Sequence, residues 1–213
     1  MRFILPTVAA AALLVGAVPA TAKQHRHHRP ERIHSHLSLH LGRHSVLSGA
    51  SVVVRGRLRP AGSRRVKVAF SGSGGKAIGV RTKRSGAFTL RWSPDRIGSY
   101  RVRAFGIHSR RATAATSAAR RLTAFHQAEA SYYGPGLYGG ALACGGSLEP
   151  GTIGVANKTL PCGAKVKLRY RGKTITVPVV DRGPYVGGRD FDLTTATKEK
   201  LGFPDVGTLL SSK

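Results

Sequence analysis

V-P-V-V-D-R-G-P-Y-V-G-G-R-D-F-D-L, running from Val177 to Leu193, is the stretch on which the fold of this chain turns. An apolar strand over 174–180 delivers Asp181 into a D-R-G-P-Y turn. Eleven residues later a second short apolar segment delivers Asp192 just before a helix. In a chain of 213 residues with 9 Asp+Glu, two carboxylates at element ends are the candidates for chemistry. Immediately upstream, residues 165–170 and 173–180 alternate in period two about a tight Arg171-Gly172 turn, which directs Val166, Leu168, Ile175, Val177 and Val179 inward. A further short strand is predicted over 153–156. Downstream, Thr194 can cap a helix over 195–201 that Gly202 ends and Pro204 follows. A strand near 208–210 then completes the set. Several short strands with one brief helix fit a small closed barrel.

The N-terminal half has a different balance. Residues 1–125 carry 24 basic and 2 acidic residues, against 11 and 7 in residues 126–213, so the formal charges are +22 and +4 within a total of +26. Such asymmetry points to two regions with different tasks, the cationic one attracted to polyanions or simply kept soluble by its arginines. Over 37–125, roughly seven short strands at spacings of about ten residues predict a β-sandwich. They fall at 37–41, 51–58, 65–70, 77–82, 87–92, 99–105 and 118–125. Alternation puts Arg55, Arg57 and Arg59, and likewise Arg101 and Arg103, on one face of their strands. Residues 109–121 read as a loop, since Ser and Thr break up the alanines and no apolar stripe anchors a helix. His126 to Glu129 bridges to the second region. The pieces S-G-A-F-T-L-R-W and G-S-Y-R-V-R-A resemble bacterial immunoglobulin-like modules.

The chain opens like a secretory signal over 1–22: a basic Arg2, an apolar core from Phe3 to Val18, and Ala20-Thr21-Ala22 as cleavage site. With no Cys near that site, a secreted or wall-associated protein without a lipid anchor is expected. Residues 23–36 form a His- and Arg-rich linker; seven of the 9 histidines lie over 23–44. Such a tract is either a solvated linker or a loose metal chelate, and no spacing in it matches a closed metal site. Cys144 and Cys162, an even pair in an exported chain, read as one disulfide stabilising by about 3 kcal/mol in the chain-entropy model. The rival, metal ligation, lacks a paired C-x-x-C or a nearby His.

Five pieces taken in order, A-S-Y-Y-G, a Gly-rich segment, A-N-K-T-L-P-C-G, V-V-D-R-G-P-Y and R-D-F-D-L-T, resemble the rare lipoprotein A (RlpA) family over about 128–210. The resemblance implies a six-stranded double-psi β-barrel with one short helix over 128–213, which with the immunoglobulin-like sandwich expected over 37–125 makes an all-β chain. It also implies a peptidoglycan lytic transglycosylase, acting on glycan strands without a cofactor. Asp192 matches the aspartate the superfamily treats as essential and Asp181 the second acidic position beside the groove. Many relatives carry His where Asn157 stands.

A lytic transglycosylase can use one carboxyl group twice, first protonating the leaving oxygen and then accepting the proton of the sugar's own 6-hydroxyl. Asp192 is the candidate for both steps and Asp181 for support, with Arg182 beside it as counter-charge. Plainer roles compete: an Asp before Arg-Gly can bond its own backbone in a turn, and Asp192 can cap the helix that follows. Arg182, Tyr185, Tyr132, Tyr133, Asn157 and Thr194 are the candidate substrate-binding residues, the tyrosines as platforms for sugar rings or as core. Glu149 is held in reserve and Asp190 faces solvent. No metal is expected at the site. The expected partners are peptidoglycan glycan strands and, through the basic half, anionic wall polymers, with no specific nucleic acid and a monomeric state. The alternative is an expansin-like protein that grips wall polymers without cleaving them.

Overall fold

The alternation of the N-terminal half becomes a set of short strands, of which residues 65–70 show the cause most plainly. Val66, Val68 and Phe70 are buried while Arg65 and Lys67 face solvent. The computed structural model describes residues 31–213. The expected signal segment and residues 23–30 of the His-rich tract lie outside them. The strands are β1 (His36–Leu41), β2 (Ser45–Leu47), β3 (Val52–Arg59), β4 (Arg65–Gly72), β5 (Lys76–Arg81), β6 (Ala87–Trp92), β7 (Gly98–Gly106), β8 (Ala115–Thr116) and β9 (Arg120–Tyr133). One sheet runs β1-β3-β6, and in the other β9, β7, β4 and β5 are neighbours in that order, with β2 on β9 and β8 on β7. The two sheets share one apolar core. At its centre Trp92 stacks on Phe70 with centroids 3.9 Å apart and meets Tyr100 edge-on at 5.1 Å. Residues 109–114 form no helix.

Two strands in this half have no counterpart in the sequence reading. β2 and β8 are 3 and 2 residues long, too short to display a period. More consequential is β9. The strand expected over 118–125 starts at Arg120 and runs on through His126–Glu129 to Tyr133 as one element of 14 residues. Its parity does not break. Leu122 and Ala124 point into the N-terminal core, Ala128 and Ala130 into the C-terminal one. A single strand therefore serves two cores, because side chains on one face recur every second residue.

Beyond β9 come β10 (Val155–Ala156), β11 (Lys165–Tyr170), β12 (Lys173–Asp181), β13 (Phe191–Thr194), α1 (Thr195–Leu201) and β14 (Val206–Ser211). The pairings run β9-β14-β11-β12-β10-β13, and β13 pairs with β9 again, in parallel. The described residues are thus mostly β with one helix. Val166, Leu168, Val177 and Val179 fill the centre with Phe191 and Leu193, and Ile175 packs partly buried against them. The β11–β12 hairpin turns on Arg171 and Gly172 at φ 43° and 87°, the paired positive φ values that suit the twist of a two-residue hairpin. Helix α1 has Thr194 as N-cap and Gly202 at φ 71° as C-cap. The strand expected over 153–156 shrinks to Val155–Ala156. Gly154 just before it has no room for a side chain, since a Cβ there would lie 2.5 Å from Val180.

Candidate active site

A strand of two residues, β10, organises the site. Ala156 in β10 is paired with Asp181 at the end of β12 on one side and with Asp192 in β13 on the other. Two strand spacings put the two Asp Cα atoms about 10 Å apart. Within β13, Phe191 and Leu193 turn into the core, so Asp192 emerges on the opposite face.

Each carboxylate is held by one oxygen. The Ser131 hydroxyl donates to Oδ1 of Asp192, an arrangement that follows from the parallel register of β9 and β13, in which Ser131 and Asp192 are partners. Arg189 Nη1 donates in turn to Ser131 Oγ at 2.9 Å, which leaves the serine proton directed at the carboxylate. Oδ1 of Asp181 accepts backbone N–H groups from Ala143 at 2.9 Å and Arg182 at 2.8 Å. Among the described residues, Oδ2 of neither aspartate has a hydrogen-bond donor. The Cys144–Cys162 disulfide is formed. Cys144 N also donates to Val180 O at 3.2 Å and Gly163 N to Val179 O at 2.8 Å, so the bridge anchors both of its loops to the end of β12, where Asp181 sits.

Tyr133 lies two residues beyond Ser131 on β9. Its hydroxyl is buried and makes no hydrogen bond within the described chain. Burial, above all, pushes the phenol well above its ordinary value; the charge of Asp181, its closeness as an acceptor, and then the charge of Asp192 add to the rise. The Asp181 carboxylate acts on the phenol at short range, but no bond of good geometry joins them. Tyr133 is therefore a protonated donor without an acceptor, within electrostatic reach of both carboxylates. A buried donor left unmade costs about 1–3 kcal/mol.

The other candidates are placed differently. Thr194 is 1% exposed; its hydroxyl donates to Thr152 O at 2.6 Å and caps α1. Its expected place against substrate is corrected on that ground: the side chain is spent on the helix and has no surface to offer. The Arg182 guanidinium does not face Asp181. It donates to Asn157 O at 3.1 Å, Leu160 O at 2.9 Å and Cys162 Sγ at 3.1 Å, clamping the 157–162 loop. Asn157 accepts from Thr159 N and Leu160 N on Oδ1 and donates through Nδ2 to Asp190 O at 2.9 Å, so one amide hydrogen remains uncommitted. Tyr132 packs on the core and carries Lys198 Nζ 3.7 Å from its ring centroid. Tyr185, in the turn after β12, is 84% exposed. Asp190 is solvent-exposed and accepts from Glu129 N at 2.9 Å; Glu149 is exposed and bonded to Ser147.

Ser131, Arg189 and the Ala143 N–H are site groups that sequence reasoning missed. Ser131 and Arg189 left a signal, their places in the A-S-Y-Y-G and R-D-F-D-L-T segments. Among the described residues no three His, Cys, Asp or Glu side chains assemble as a metal site would require.

Residues 126–210 match the family model described as lytic transglycolase, DPBB_1. Over 80 residues the chain is 36% identical to the protein named "Probable endolytic peptidoglycan transglycosylase RlpA" of Synechocystis, covering 37% of this chain and 25% of that one. Over 81 residues it is 38% identical to the endolytic peptidoglycan transglycosylase RlpA of Pseudomonas aeruginosa, covering 37% and 24%. The match thus spans about a quarter of the length of these relatives. Among solved structures, the Streptomyces papain inhibitor (SPI) matches with 25% identity and a TM-score of 0.34, over 41% of this chain and 92% of that one.

Proposed function

We propose, from the RlpA-like double-psi β-barrel that residues 126–210 form, that this chain is a peptidoglycan lytic transglycosylase with Asp192 as its general acid and base. The observation that carries the reading is a carboxylate with one oxygen fixed by Ser131 and the other free, beside a protonated, unpartnered phenol. Protonated Asp192 gives its proton to the glycosidic oxygen as the bond from that oxygen to the anomeric carbon breaks. The resulting carboxylate then takes the proton of the 6-hydroxyl as that oxygen bonds to the anomeric carbon and closes an anhydro ring. Proton and bonds balance without water or a second nucleophile. The Ser131–Arg189 pair holds Oδ1, so that Oδ2 is the working atom. Asp181 supports, its charge placed across β10 where positive character develops on the sugar. The buried Tyr133 phenol stays neutral within reach of both carboxylates, and Tyr185, the exposed neighbour of the Asp181 turn, offers its ring to a flanking sugar.

The same reading makes the described chain an immunoglobulin-like sandwich followed by a six-stranded barrel. It makes the protein exported, monomeric, and held on anionic wall polymers by its basic half. A second reading, gripping glycan without cleaving it, draws on the exposed Tyr185 and Tyr138, which suit sugar stacking with no chemistry at all. Incubating the protein with peptide-stripped sacculi separates the two. Soluble glycan released by wild type and not by Asp192→Asn supports catalysis; pull-down of both proteins with no release supports gripping.

A further inference from the structure

The outward face of the sheet that contains β7 and β9 carries cations where a stable sheet would avoid them. Arg101 in β7 and Arg121 in β9 are direct cross-strand partners, and both are exposed on the same face. Like charges opposite one another destabilise a strand pair. The next outward pair along the strands is Ser99 and Thr123, and over it Lys167 from β11 places its ammonium, donating to Ser99 Oγ at 2.9 Å and to Thr123 Oγ1 at 3.2 Å. Two neutral hydroxyls fix this ammonium without neutralising it, and one of its hydrogens stays free.

These three cations meet in a continuous groove. Two adjoining hollows of about 360 and 640 Å³ share Gly72, Ser99 and Lys167; the first adds Arg101 and Arg121, the second Lys165 and Lys213. No acidic residue lines either hollow. Their ring-bearing residue, Tyr100, has its side chain buried in the core and its hydroxyl bonded to Arg96 O at 2.7 Å, so the groove presents no aromatic face. Bases of single-stranded nucleic acid bind chiefly by stacking on such faces. What remains is the exposed Arg101–Arg121 pair and, about 7 Å farther along the strands, the Lys167 ammonium fixed on its two hydroxyls: donors and charge, and nothing to hold a base.

We propose that this groove binds a linear, base-free phosphodiester or polyphosphate-type polyanion, its phosphates bridging Arg101, Arg121 and Lys167. The proposal rests on the reading of the basic half as the anchor to anionic polymers and gives that anchor an address. Linear inorganic polyphosphate of uniform length, titrated against the purified chain at several salt concentrations, is the probe. The double variant Arg101→Gln/Arg121→Gln is expected to weaken binding about tenfold and to flatten the salt dependence by about 1.4, near 0.7 for each cation removed from a flexible polyanion. Its thermal midpoint should equal or exceed that of wild type, since a like-charge pair is relieved; should it fail to fold, Lys167→Gln is expected to weaken binding about threefold by itself. Arg55→Gln/Arg57→Gln removes the same charge from the opposite sheet and should cost less than threefold. Equal losses in the two double variants would overturn the groove while leaving a general cationic attraction intact. No binding of polyphosphate by wild type would overturn both. Tighter binding of an oligothymidylate of matched charge would overturn the base-free class, and Asp192→Asn should bind polyphosphate as wild type does.

Discussion

The two halves are built by one rule and differ in what faces outward. In each, every second residue of the longer strands tends to be apolar and turns to a core, and β9 runs from one core to the other as a single strand, with the polar His126 at the changeover. On the N-terminal half the outward positions are repeatedly arginine, as at 55, 57, 59, 101 and 103, all exposed. On the C-terminal half the outward positions of β9 and β13 are Ser131, Tyr133 and Asp192, half-buried or buried and bearing on one another. The first pattern gives a field, which acts at a distance and fades with salt. The second gives a constellation, in which each polar group is fixed by another. Geometry specific enough for bond-making therefore belongs to the second half, and attraction to the first.

The largest effect expected on that contrast is the loss of cleavage in Asp192→Asn, about a thousandfold in rate, with sacculus binding near wild type because the cationic half is untouched. Binding that fell together with cleavage would show the two tasks to be one. Next in size, Cys144→Ser/Cys162→Ser should lower stability by about 3 kcal/mol in denaturant unfolding. It should also reduce activity in the surviving folded fraction, because the Ala143 N–H that holds Asp181 sits beside the bridge. Ser131→Ala removes a hydrogen bond to a charged group, worth about 1.5–3 kcal/mol. The expected result is a 10- to 100-fold lower kcat with KM little changed, and an unaltered kcat would remove Ser131 from the machinery.

The smallest effect is the most diagnostic. Tyr133→Phe deletes a buried hydroxyl that has no partner, so it should stabilise the chain by about 1 kcal/mol while slowing cleavage. The sign with pH follows from the raised phenol. The unfolded chain ionises near pH 10, below the folded value, so the stability of the chain is unaffected by this phenol below that pH and falls as pH rises toward the folded value. Unfolding curves taken across pH 9 to 12 should show that loss in wild type and a smaller one in Tyr133→Phe.

The uneven legibility of the chain in its sequence has physical causes. Residues 165–170, 87–92 and helix 195–201 match the structure residue for residue, because strict alternation and paired caps are local signals. β2 and β8 are too brief to carry one, and the continuity of β9 through His126–Glu129 is hidden because polar residues there face solvent on one side of an ordinary strand. Asp181 and Asp192 stood out by rarity and by their place at element ends. Their distance from each other across Ala156, and the partnership of Ser131 with Asp192 across 61 residues, are products of pairing between strands far apart in the chain. Arg182 and Thr194 were legible as polar residues beside the aspartates, but what each bonds depends on the 157–162 loop and on Thr152, which no local pattern connects to them.

The central claim is that Asp192 transfers a proton twice and that no water enters. Mass analysis of the sugar ends released from peptide-stripped sacculi tests it most directly. Anhydro ends from wild type, each lighter by one water than a reducing end, and none from Asp192→Asn, are the predicted result. Reducing ends from wild type, or anhydro ends that persist in Asp192→Asn, would contradict it.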